Sequence, residues 1–151
     1  MKTYLPISAA WAALALSTQA FAQPSFAEFA VTRPYMGKTA KPLLRTEQDK
    51  EFKTRLQAAA RGKPNFAGQY ILATVGCGAS CILTSIIDAR SGKVAWLPFT
   101  ICCWDSGKPL DFHLDSSLLV VHGMRDEQEP NGTSYYAFEE GKLRLVAQLP
   151  K

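Results

Sequence analysis

The hydrophobic rhythm of the chain changes three times between its termini. Leu5 to Leu16 is an Ala-rich apolar stretch, preceded by Lys2 and followed by Ala20-Phe21-Ala22. A basic start, about twelve apolar residues and a small-x-small exit predict a secretory signal peptide at 1–22, too short for a membrane-spanning helix of roughly 20 residues. Residues 23–45 carry three prolines among mixed apolar residues and predict an extended arm anchored by Phe26, Phe29 and Tyr35. From Thr46 the spacing becomes helical: Phe52, Leu56, Ala59 and Ala60 fall on one stripe, Thr46 can cap the start with Asp49 three residues later, and Gly62 and Pro64 end it. The stripe is narrow and lacks a large aromatic wedge, which suits packing on a sheet better than lying on a membrane.

After Pro64 the pattern is that of strands. Runs at 70–75, 82–89, 94–101, a short 111–114, 118–122, 135–138 and 143–149 are β-branched or aromatic, with polar turn residues between them. Short strands joined by short turns predict sequential antiparallel hairpins. The predicted class is α+β: one N-terminal amphipathic helix packed on an antiparallel β-meander of five to seven strands, with 46–151 forming a single domain. Pro98 and Pro109 place the segment between them at an edge or in a loop.

Removing 22 of the 151 residues would leave 129, enough for one domain with a core of its own. Disulfides would then reinforce the fold rather than create it. Of the net charge of +4, Lys2 contributes one, and the rest is unevenly spread. Nine Lys or Arg face three acidic residues from Arg33 to Lys63, whereas seven basic residues face nine acidic ones from Pro64 onward. Such an arm could favour an anionic lipid, glycan or acidic partner, but a solvated helix face is the better reading, since no block of like charges occurs. Without a dense basic stripe, nucleic acid is not an expected partner. No second long apolar run exists and the residue directly after the cleavage point is Gln23 rather than cysteine, so neither a membrane span nor a lipid anchor is expected. The expected address is the periplasm or the exterior.

That address gives the four cysteines their first reading, as disulfides. Cys77 and Cys81 flank Gly78-Ala79-Ser80; as a hairpin loop this would hold their Cα atoms roughly 4.5–5.5 Å apart, within bonding range. Cys102 and Cys103 are adjacent, and neighbouring strand residues point to opposite faces, so a bond between them needs a bent peptide and would be easily reduced. Other pairings would staple the first hairpin to the 101–104 segment. Three functional readings stand beside structure alone. A thiol–disulfide exchanger would lack the Cys-x-x-Cys spacing and helix N-terminus that lower a thiol pKa. A metal site would draw on the thiolates and on His113 or His122, whose shared face depends on hairpin register, but neither cysteine pair has zinc-finger spacing. A recognition loop would present a rigid disulfide-closed tip, which lowers the entropy cost of docking.

Other chemistry finds little footing. Ser80 is not in a Gly-x-Ser-x-Gly elbow. Asp88, Asp105, Asp111 and Asp115 lie at strand ends or turns, where aspartate is ordinary turn chemistry. His122 is the one candidate base. Gly76-Cys77-Gly78 lacks the helix and lysine of a phosphate loop. Asn131-Gly132-Thr133 matches a glycosylation sequon but reads as a turn. No cofactor and no metal are expected.

Four segments resemble a group of small exported bacterial proteins of unassigned function. They are Asn65-Phe66-Ala67-Gly68-Gln69-Tyr70, Gly76-Cys77-Gly78-Ala79-Ser80-Cys81, Ile87-Asp88-Ala89 with Ser91-Gly92-Lys93-Val94, and Asp115-Ser116-Ser117-Leu118-Leu119. The likeness runs from about Asn65 to Tyr136 and implies secretion and a shared fold, with no catalytic residues to carry over; Cys102-Cys103 lies outside the pattern. The 77–81 loop is also loosely similar to the disulfide-closed loop of periplasmic lysozyme inhibitors, without the histidine-bearing polar loop of those proteins. The sequence thus predicts a domain that acts by binding, as an inhibitor, immunity-like or envelope-interaction protein with a protein or glycan partner. Its candidate surface is Gly78, Ala79, Ser80, Tyr70, Trp96 and Trp104. The alternative is a thiol-redox, metal-binding or hydrolytic protein using Cys77, Cys81, Cys102 and Cys103.

Overall fold

A computed structural model describes residues 22–105, 107–128 and 131–151; all but the last residue of the expected signal peptide lie outside the described residues. Two short helices, α1 (Glu47–Glu51) and α2 (Lys53–Ala59), precede eight strands. The strands are β1 (Tyr70–Gly78), β2 (Cys81–Asp88), β3 (Val94–Trp96), β4 (Ile101–Cys102), β5 (Leu110–Phe112), β6 (Leu118–Arg125), β7 (Gly132–Glu139) and β8 (Lys142–Pro150). All pair antiparallel in one sheet, ordered β1-β2-β4-β6-β7-β8, with β3 added to β2 and β5 to β6. The expected α+β meander is present, with two differences. The helical segment lies between the arm and β1 rather than at the chain's N-terminus, and it is broken at Phe52, whose φ/ψ of −93°/17° leaves the helical region. The strands number eight because the single run expected at 94–101 is two strands, separated by residues 97–100 around Pro98, which has no N–H to give a ladder.

β3, β4 and β5 together fill the third place in the meander. β3 pairs only with β2 and β5 only with β6, while the two residues of β4 pair with both: Ile101 lies opposite Ile82 and Arg125, and Cys102 opposite Cys81 and Met124. Away from β4 the sheet divides into two halves whose inner faces meet. Phe66, Leu72, Ile86, Leu97, Ile101, Leu110, Leu119, Tyr136 and Phe138 make the main core between them. Tyr70 on β1 packs edge-on against Phe138 on β7, with ring centroids 4.7 Å apart.

Both outer faces are covered. Leu56 of α2 buries with Ile71, Ile87 and Ala89 against the β1–β2 hairpin, and Phe52, Trp96 and Tyr35 close that cluster. Phe26 and Phe29, on a one-turn 3-10 helix of the arm, cover Leu118, Val120 and Tyr135 on the far face. The arm is held by its backbone as well: Val31 N–H bonds the Asp115 carbonyl, Tyr35 that of Gly68, Ala40 that of Ala89 and Leu43 that of Gly92. Gly68 has φ 77°, and a Cβ there would press on Val31 at 3.3 Å.

The cap of α1 is the predicted one, and it reaches further than a cap. Asp49 is 2% exposed. Its carboxylate accepts from the Thr46 amide (2.8 Å), the Arg45 amide (2.9 Å) and the Trp96 indole N–H on β3 (2.9 Å). Burial pushes this carboxyl upward, but the bonds from Thr46, Trp96 and Arg45 outweigh it and hold the group below the usual aspartate range. A depressed folded pKa means that the stabilisation is complete above the unfolded value of about 3.9 and is lost as pH falls through the folded value. Asp49→Ala is expected to destabilise the protein by about 2–3 kcal/mol near neutral pH, because three donors lose a charged acceptor. In denaturant titrations the gap from wild type should close as the pH is lowered below about 3.9; a gap independent of pH would refute the ionic origin of the effect.

Candidate functional site

The cysteines gather where the β1–β2 hairpin, β4 and the end of β6 meet. Cys77 and Cys81 are disulfide-bonded with Cα atoms 5.2 Å apart, in the expected range. The hairpin is tighter than expected. Gly78 pairs with Cys81, the loop proper is Ala79-Ser80, and Cys77 sits in a bulge between paired Gly76 and Gly78. The tight turn is possible because Gly78 takes φ 141° and Ser80 φ 52°. Gly76, Cys77, Gly78, Ala79 and Ser80 are all exposed. A Cβ placed on Gly76 or Gly78 would meet nothing within 4 Å, so the tip projects into open space.

Cys102 and Cys103 are thiols, in contrast to the expectation that all four cysteines are bridged. Their sulfurs are 2.9 Å apart, longer than an S–S bond of about 2.05 Å. They approach at all because β4 ends at Cys102 and Cys103 adopts a left-handed φ of 59°, so strand alternation no longer sends the two side chains apart. Directly opposite residues share a sheet face, which lines up Cys81, Cys102 and Met124 across β2, β4 and β6.

The corner around this pair is built from several tight approaches. Cys102 is 2% exposed, whereas Cys103 faces solvent. Asp126 and Glu127, both at positive φ, form the turn after β6. The Asp126 carboxylate accepts from the Thr100 amide (2.8 Å) and hydroxyl (3.2 Å), tying that turn to the residue before β4. Asn131 donates to the Cys103 carbonyl at 3.1 Å. Gly123 on β6, at φ 105°, lets the strand lie against this corner: a Cβ there would collide with the Cys102 carbonyl oxygen and stand 3.1 Å from the Trp104 amide nitrogen. The hydrogen bond with Cys103, burial, and the nearby charges of Cys103 and Glu127 push the Cys102 thiol up to about 11. Cys102 therefore keeps its proton at neutral pH.

The six residues expected to form a binding surface do not come together. Gly78, Ala79 and Ser80 are at the tip. Tyr70 begins the same strand eight residues earlier, about 26 Å away at 3.3 Å per residue. Tyr70 lines one pocket of about 270 Å³ and Trp96 another of about 320 Å³; both lie between β3 and the β7–β8 turn and share Ile86, Ala95, Phe138 and Gly141. Both side chains are half-buried, but on opposite faces of the sheet: Tyr70 packs on Phe138 in the main core, while Trp96 turns outward to Asp49 and Phe52. Burial and the charge of Asp88 raise the Tyr70 phenol above its usual value. Trp104 is nearer the tip but half-buried against the main core.

The histidines do not meet. His113 stacks on Phe26 with centroids 3.9 Å apart, while His122 bridges Asp111 (2.9 Å) and Thr133 (3.2 Å). Asp111, expected to open a short strand at 111–114, is on β5, diagonal to His122. The Asp–His–Thr order is that of a hydrolase relay, but His122 and Thr133 are a directly opposed strand pair, so sheet geometry alone brings the three together. Among the described residues no group of three or more His, Cys, Asp or Glu is arranged to hold a metal ion.

The remaining recognisable motifs are structural. The Asn65 side chain makes two bonds to the Leu72 backbone, Phe66 is wholly buried, Asp88 accepts from Arg90 and Ser91 in its turn, and Ser116 bonds the Phe26 carbonyl. Comparison with protein-family models, curated proteins and solved structures gives no match. Gly123→Ala is expected to cost more than about 2 kcal/mol, since the new methyl forces β6 off the Cys102–Trp104 corner in a backbone conformation unfavourable to alanine. Thermal unfolding should show the loss. A melting temperature equal to wild type would mean that this contact is readily relaxed.

Proposed function

We propose that the chain is exported to an oxidising compartment and acts there by binding, presenting the disulfide-closed tip of the β1–β2 hairpin to an envelope protein or glycan. The observation that carries this reading is the tip itself: five exposed residues, 76 to 80, on a hairpin whose bulged strand is tied by the Cys77–Cys81 bond. In the chain-entropy view so short a loop gains only about 2 kcal/mol from its disulfide. The bond therefore matters more for fixing the shape of the tip than for holding a domain that already has three apolar clusters. Disulfides persist in oxidising compartments, which agrees with the export signal read at 1–22. The likeness to exported bacterial proteins of unassigned function is part of the same proposal. So is the looser one to lysozyme inhibitors, which rests on the closed loop alone.

A second reading, thiol-redox chemistry, is favoured by one specific feature, the adjacent thiols of Cys102 and Cys103. The hydrolytic and metal-binding alternatives have no comparable support.

Cross-linking in intact envelopes followed by affinity capture tests the tip. The wild-type chain should retain a partner that both Cys77→Ser/Cys81→Ser and the disulfide-preserving Ala79→Arg variant lose, by at least about tenfold. An identical set of captured molecules for all three proteins would sink the assignment.

A further inference from the structure

We propose that Cys103 and Cys102 form a thiol–disulfide exchange site, with Cys103 as the attacking thiol, Cys102 as the resolving thiol and an aliphatic disulfide as substrate. The site is distinct from the hairpin tip and does not depend on what the tip binds.

Three observations assign the roles. The first is access: Cys103 is exposed at the end of β4, while Cys102 is buried within it, so an incoming disulfide meets Cys103 first. The second is distance. The sulfurs already stand 2.9 Å apart, slightly closer than the roughly 3–3.5 Å approach at which reacting atoms are poised to bond. The third is backbone preparation. Joining adjacent cysteines demands that neighbouring side chains turn to the same side, and here the left-handed Cys103, the Gly123 contact and the Asn131 bond to the Cys103 carbonyl hold that turn in the dithiol form. The high pKa of Cys102 agrees with this division, since a protonated, buried thiol does not compete for the first attack.

The chemistry balances without a cofactor. Cys103 gives up its proton, and its thiolate attacks one sulfur of R–S–S–R. A Cys103–S–R bond forms, the R–S bond partner leaves as a thiolate, and that thiolate takes up a proton. Cys102 then loses its proton to solvent, and its sulfur attacks Cys103 Sγ. The Cys102–Cys103 bond forms and the second R–S⁻ leaves and is protonated. Two protein thiols are oxidised and one disulfide is reduced to two thiols; the reverse sequence consumes a dithiol.

The test uses the exported chain, gently reduced so that Cys77–Cys81 stays closed, then mixed with oxidised glutathione. Samples are quenched in acid, alkylated and mapped by mass spectrometry. Wild type should pass through a glutathione adduct at Cys103 and end with a Cys102–Cys103 bond. Cys102→Ser should accumulate the Cys103 adduct, and Cys103→Ser should react at least about tenfold more slowly. If Cys102→Ser does not fold, the early wild-type time points still show which sulfur is modified first. A first adduct on Cys102, a Cys81–Cys102 bond, or thiols left unchanged would each overturn the proposal. Loss of the tip's partner in Cys77→Ser/Cys81→Ser with exchange intact would confirm that the two sites fail independently.

Discussion

Everything in this fold hangs on two residues that pair on both sides. Ile101 and Cys102 are the only described strand residues whose neighbours belong to both halves of the sheet. On either side of them the third strand position belongs to one half alone, so the halves separate and their inner faces can fold toward each other over a shared core. Ile101, wholly buried, sits at the bottom of that core. A continuous third strand would have kept the sheet open and left Phe66, Tyr70 and Phe138 without one another. Pro98 before β4 and Pro109 after it lie outside the paired residues, where the missing N–H costs no ladder bond.

The same corner explains why chemistry collects there. A two-residue strand must end abruptly, and both its ends are turned by residues at positive φ: Cys103 after it, and Asp126 and Glu127 beside the residue that precedes it. Such conformations cost on the order of 1 kcal/mol each or more and persist where neighbours over-determine them. Thr100, Asn131 and Gly123 supply that restraint. The outcome is one cysteine under the surface and one on it, within touching distance, beside a separate disulfide on the next strand.

Much of the architecture was legible in the chain. The helix cap at Thr46 and Asp49, the strand runs and the Cys77–Cys81 spacing are local signals, and local signals survive into the fold. What sequence could not convey was which distant partners override them. Asp49 reads as a cap residue; that it also receives the Trp96 indole 47 positions away depends on how α1 packs on β3. Asp111 reads as the first residue of a short strand; that its carboxylate meets His122 depends on β5 pairing with β6. Tyr70 and Trp96 read as surface aromatics near the loop, yet they belong to the opposite end of the hairpin and to its packing. The Cys102–Cys103 approach was the hardest to foresee, because it turns on a single left-handed φ at a residue type that seldom adopts one.

The arm has a consequence for the order in which the molecule can be completed. Phe26 and Phe29 are among the first described residues, yet they seat on Leu118, Val120 and Tyr135, from the last third of the chain. A polypeptide is delivered N-terminus first, so these two rings emerge before the surface they cover exists. Contacts so distant in sequence are slow to form. Until β6 and β7 are in place the early aromatics have no surface to cover, so the start of the arm is seated only late in the assembly of the fold.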